Sequence, residues 1–159
     1  MLRPLYLGLA ALAVFIGIAV YLAPLEPGIL RLQFSFTASS FQGVLEQWQA
    51  QGIARYRAHF SADFVLLVLY GAFGFAWGRQ CVAARAMSRG LAWLLTWSLP
   101  VAALADAGEN VLHLLLTDGR PDAAPQLYAA AGLAALLKWL AILAFGAATL
   151  GASRRQRRA

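Results

Sequence analysis

Four apolar runs, each long enough to cross a membrane, divide the chain, and polar positions inside them are few. A spanning helix needs about 20 apolar residues for a hydrocarbon core of ~30 Å. Residues 5–23 carry no charge; residues 62–78 open on Asp63; residues 91–116 hold a polar stripe; residues 126–150 have Lys138 as their one charge. The pattern predicts an all-α membrane protein, a four-transmembrane-helix bundle forming a single domain over residues 1–159. The first run is too long for a signal peptide, and Tyr21-Leu22-Ala23 is not a small-x-small cleavage site, so it is expected to stay as a span.

Residues 24–60 form an outer segment with its own patterns. Leu30, Leu32, Phe34 and Phe36 alternate with Arg31, Gln33 and Ser35, a period of two that predicts a short extended stretch. Ser39 or Ser40 is expected to cap a helix, with Gln42 at capping-box distance from Ser39. Phe41, Val44, Leu45 and Trp48 share one face of that helix, opposite Gln42, Glu46 and Gln49, and Gly52 is expected to end or kink it. An amphipathic helix of this kind lies at the outer interface or lids the bundle.

The third run carries the densest chemistry. Asp106, Glu109, Asn110 and His113 stand at i, i+3, i+4 and i+7, within one arc of about 100°. Ionisable groups in hydrocarbon are costly unless they face protein or water, so the stripe marks a candidate site. With the third run directed outward and the fourth inward, Asp106 falls roughly 16 Å below Thr117 and Lys138 roughly 18 Å below Gln126. The matched depth predicts an Asp106–Lys138 ion pair. Arg55, Arg57, His59 and Asp63, at the start of the second run, complete an expected polar funnel that opens outward. Gly71, Gly74 and Gly78, with Gly132 and Gly146, supply small residues for close helix packing within the chain.

Composition agrees: 61% of residues are hydrophobic, 13% charged, and mean hydropathy is +0.64, where soluble domains carry roughly 25% charged residues. The net charge of +6 draws on Arg154, Arg155, Arg157 and Arg158, which read as topology and lipid-headgroup contacts and not as a nucleic-acid surface. Arg79, Arg85 and Arg89 sit between runs two and three without an acid, and Arg3 precedes run one. Both termini are therefore expected in the cytoplasm of a bacterial inner membrane. Arg31, Arg55 and Arg57 run against that bias, offset by Glu26 and Glu46. A single cysteine, Cys81, excludes an internal disulfide and Cys-x-x-Cys redox chemistry.

The stretches Ala54-Arg55-Tyr56-Arg57-Ala58-His59 through Asp63-Phe64 to Tyr70-Gly71, and Pro100 through Asp106-Ala107-Gly108-Glu109-Asn110, resemble a family of small four-span bacterial integral membrane proteins. The resemblance runs over residues 32–116. It implies a four-helix fold, groups Asp63, Asp106, Glu109 and Asn110 as a set, and supplies no activity.

Several functions fit these residues. The leading one is a pocket that binds or acts on a lipid or other amphiphile. In it Glu109 would serve as acid or base, Asp106 and Lys138 would fix charge, and His113 or Asp63 would relay protons. Arg55 and Arg57 would hold an anionic headgroup, with His59 and Asn110 among the binding groups. An accessory subunit of a membrane complex, partnered by other proteins and lacking chemistry of its own, is the main alternative. No cofactor is required, although His59 and His113 have the positions for a haem b, and Glu109-x-x-x-His113 the spacing for two metal ligands. A proton pathway is the last reading.

Overall fold

The computed structural model describes residues 4–83, 87–118 and 123–156, with the side chains of 154–156 left aside. All its regular elements are helices: α1 (Pro4–Leu22), α2 (Ile29–Gln33), α3 (Ala38–Ala83), α4 (Arg89–Leu116) and α5 (Pro125–Gln156). Four of them, α1, α3, α4 and α5, are long and apolar enough to cross a membrane by length and composition. Arg3, Arg85, Arg157 and Arg158, which weighed in the orientation, lie outside the described residues.

The bundle is built in sequence order, α1 against α3, α3 against α4, and α4 against α5. Glycines bring α3 and α4 together. A Cβ at Gly78 would fall on the Leu95 carbonyl and the Thr96 Cα, and one at Gly74 on the Leu99 side chain. The small residues of the second run thus serve packing inside the chain, where close backbone approach maximises dispersion contacts. Gly146 meets nothing within 4 Å.

One end of the bundle is closed by an apolar plug. Leu22, Leu25 and Leu32 from the α1–α3 connection pack with Phe41, Val44 and Trp48, and with Phe60, Leu116 and Tyr128. The expected amphipathic face is therefore buried against the bundle as a lid. Trp48 Nε1 donates to the Pro27 carbonyl at 2.7 Å and ties the lid to the connection beneath it.

Three local expectations need correction. The strand expected over residues 30–36 is absent: 29–33 form α2, which buries Leu32 and exposes Leu30, while Phe34 and Phe36 after it are also exposed. A lone strand would leave its peptide groups without a ladder, since the described residues contain no second strand; a helical turn closes these bonds locally. The cap of α3 is Thr37, not Ser39 or Ser40. The Ser40 N–H donates to Thr37 Oγ1 at 3.3 Å and the Thr37 N–H to Ser40 Oγ at 3.4 Å, so Ser40 takes the capping-box role expected of Gln42. Finally, the kink falls at Gln49 (φ 53, ψ −174) and not at Gly52. Gly52 is needed elsewhere: a Cβ there would lie 2.7 Å from Trp48 Cβ. Gln49 takes the turn at positive φ with an extended ψ, a region that residues other than glycine seldom occupy, at a cost of about 1–3 kcal/mol.

Candidate functional site

Beneath the plug, α3, α4 and α5 each turn polar groups inward. On α4 the stripe is buried as a unit, with Asp106 6%, Glu109 0%, Asn110 3% and His113 1% exposed. On α3, Tyr56, His59, Asp63, Leu66, Tyr70 and Phe73 follow spacings of three and four and line one cavity. From α5, Lys138 enters at the level of the α4 carboxylates.

Lys138 Nζ lies 3.0 Å from Asp106 Oδ1, to which it donates a hydrogen bond. The pair expected from matched depth is thus formed. The same ammonium lies 2.7 Å from Glu109 Oε2, at an angle outside hydrogen-bond geometry, so this second contact is ionic. One lysine therefore serves two carboxylates. Tyr70 donates to Asp106 Oδ2 at 3.1 Å, and Asn110 Nδ2 donates to Asp63 Oδ2 at 2.5 Å. Tyr56 Oη and His113 Nδ1 are 2.7 Å apart, and Glu109 Oε1 lies 3.8 Å from the same nitrogen. His59 Nδ1 bonds to the Tyr56 carbonyl. Glu109 Oε1 and His113 Nε2 are buried without a hydrogen-bond partner, each at a cost of about 1–3 kcal/mol.

These contacts set Tyr56, His113, Glu109, Lys138, Asp106 and Tyr70 in a row, hydrogen-bonded from Tyr56 to His113 and from Lys138 through Asp106 to Tyr70, with Glu109 between the two parts at 3.8 and 2.7 Å; Tyr56 and Tyr70 line the cavity. The cavity measures about 380 Å³. Its walls are apolar: Gly8, Ala11, Leu12 and Phe15 of α1 on one side, Trp139 and Ile142 of α5 on the other. Its floor holds His59, Asp63, Tyr70, Asp106, Asn110 and Lys138. Gln33 of α2 accepts from Trp139 Nε1 at 3.2 Å and bridges the lid to α5 beside the cavity.

The cavity differs from the expected funnel between spans two, three and four. The plug shuts the end at which that funnel was to open, and the space lies instead between α1 and α5, above a floor made by α3 and α4. Asp63, His59 and Asn110 face it with the Asp106–Lys138 pair. Glu109 and His113 stand behind them, and Phe41 packs on His113 with ring centroids 5.4 Å apart. Arg55 and Arg57 line no part of it. Arg55 donates to the Tyr21 carbonyl at 2.9 Å and lies over the Tyr21 ring. Arg57 is taken by the Leu114 carbonyl and Thr117 Oγ1, both at 2.9 Å, and by Asp118 at 3.2 Å. Their donors hold the connections at the capped end.

Tyr56 packs against both His59 and His113, with centroid distances of 4.8 and 6.0 Å, and its hydroxyl lies 2.7 Å from His113 Nδ1. Among the described residues no three His, Cys, Asp or Glu side chains converge as metal ligands.

Sequence reasoning missed Tyr56, Tyr70, Gln33 and Trp139. The three-and-four spacing from Tyr56 to Phe73 was available as a signal on α3, whereas nothing along the chain pairs Gln33 with Trp139. Comparison with protein-family models, with curated proteins and with solved structures finds no match.

Proposed function

We propose that the protein is a bacterial inner-membrane protein with both termini cytoplasmic, akin to the small four-span family it resembles, and that it holds an amphiphile in the cleft between α1 and α5. The observation that carries this reading is a cavity with apolar walls and a buried, hydrogen-bonded polar floor. Ligand sites commonly combine an apolar lining with a few fixed polar groups.

The inverted distribution of polarity supports membrane insertion. Val68 is 71% exposed, Leu104 76% and Leu143 67%, while Glu109 is 0% and Lys138 5% exposed. Water-soluble monomers seldom carry such extended apolar surface. With the apolar exterior in lipid, the cleft opens sideways to the acyl chains and the plug separates it from the water beyond the capped end.

Orientation is tested with single cysteines at Ala124 and Ser153 in a Cys81→Ser background, both positions being exposed. An impermeant maleimide applied to intact cells is expected to label the first alone. Equal labelling of both contradicts the orientation. Occupancy is tested by extracting the purified protein and identifying what co-purifies by mass spectrometry. Ala11→Trp fills the cleft and is expected to remove at least about nine-tenths of a retained amphiphile, as steric overfilling of a packed site does. Val68→Trp, on the exposed surface, is expected to leave retention unchanged. Equal loss in both variants, or no stoichiometric amphiphile at all, overturns the reading.

A further inference from the structure

Resting on that reading, we infer that the polar group received by the cleft is an alkylammonium, recognised by Asp63. In lipid the apolar walls discriminate weakly, because acyl chains outside are as apolar as the side chains inside. Selection therefore falls to the floor, where the charges do not balance. Among the described residues Lys138 is the one lysine or arginine lining the cavity, and it is already held by Asp106 and Glu109 at 3.0 and 2.7 Å. An anionic headgroup would meet no free cation among them. Arg55 and Arg57 lie off the cavity, with donors committed to Tyr21, Leu114, Thr117 and Asp118.

Asp63 is the acid left over. It is 9% exposed, lines the cavity and has Asn110 on Oδ2, with no hydrogen bond or ion pair to Oδ1 among the described residues. His59, one turn before it, and Tyr56, one turn further, line the same cavity. A carboxylate oxygen without a partner in an otherwise apolar cavity is the chemistry that receives an ammonium, through a charge-assisted hydrogen bond. The group occurs on a free amphiphilic amine and on an aminophospholipid, whose phosphate and chains would leave through the side of the cleft.

The test compares dodecylamine, dodecanol and dodecyl sulfate at neutral pH, where the amine is protonated, by saturation of the change in protein fluorescence in a non-ionic detergent. Dodecylamine is expected to bind about tenfold more tightly than dodecanol, the share that one charge-assisted hydrogen bond carries, and dodecyl sulfate more weakly than either. Asp63→Asn is expected to bring amine and alcohol together, with a cooperative melting transition in the same detergent reporting that the variant is folded. Equal binding of amine and alcohol by the unaltered protein, or a preference that survives Asp63→Asn, overturns the inference yet leaves the cleft standing. Failure of all three to bind at Ala11-accessible sites, with Ala11→Trp giving the same traces, sinks the cleft itself. Phosphatidylethanolamine in nanodiscs, competing against bound dodecylamine, separates the two sources: displacement assigns the site to the lipid headgroup, and its absence to a free amine.

Discussion

Lys138→Met is expected to be among the most damaging single substitutions in this chain, lowering stability by about 3–5 kcal/mol, as removal of one partner from a buried ion pair does. The loss comes from what stays behind. Asp106 and Glu109, both buried, would be left without the cation they share, and stranded carboxylates in a low-dielectric interior are either ionised at high cost or forced to take up protons. Adding Asp106→Asn to Lys138→Met should recover part of the loss, and adding Glu109→Gln as well should recover most of it. Asp106→Asn alone should cost less than Lys138→Met, because Glu109 keeps the ammonium partnered. Reversible unfolding in mixed micelles checks the series. Losses that simply add across the three positions would mean that the groups are not one electrostatic unit.

Gly78→Ala carries the second large effect, through packing. The added methyl would collide with the Leu95 carbonyl and the Thr96 Cα, which are backbone atoms and cannot turn aside as a side chain end can. Helices α3 and α4 would have to separate, and overpacking of this kind costs about 1–3 kcal/mol or more. Gly146→Ala is the control: with nothing within 4 Å of the new methyl, it should be neutral or gain up to about 1 kcal/mol in helix propensity. The same unfolding measurement compares the two. Equal effects at both positions would show that α3 and α4 do not approach through Gly78.

The four long helices were legible because uncharged runs of this length have few other uses, and the α4 stripe was legible because acids in such a run stand out. The Asp106–Lys138 contact followed from residue count alone, since rise per residue gives depth along a helix. What depth cannot give is azimuth. That Lys138 would also reach Glu109, one turn from Asp106, depends on how α5 is rotated against α4. The position of the cleft was hidden for a related reason. α1 is apolar on every side, with Ala11 and Leu22 its buried residues, so no face of it announces whether it packs on α5 or stands apart. The misread connection has a different origin. The alternation at 30–36 has the period of a strand, but period says nothing about whether a partner strand exists. Gly52 was read as a breaker from its backbone freedom, whereas its lack of a side chain is what the Trp48 contact uses. The arginines at 55 and 57 were placed correctly along the chain and assigned to a headgroup on charge alone; carbonyls and Asp118 at the capped end claim them first.

In the proposed complex α1 and α5 stand apart around a bound chain whose polar end reaches Asp63. Crystals grown from a lipidic phase with a brominated-chain amine test it most directly, because the anomalous signal of bromine locates the chain independently of the protein phases. A bromine peak is expected between α1 and α5, beside Phe15 or Ile142, with the amine within hydrogen-bond distance of Asp63. A structure in which α1 packs directly on α5, with the bromine outside the bundle or absent, would contradict it.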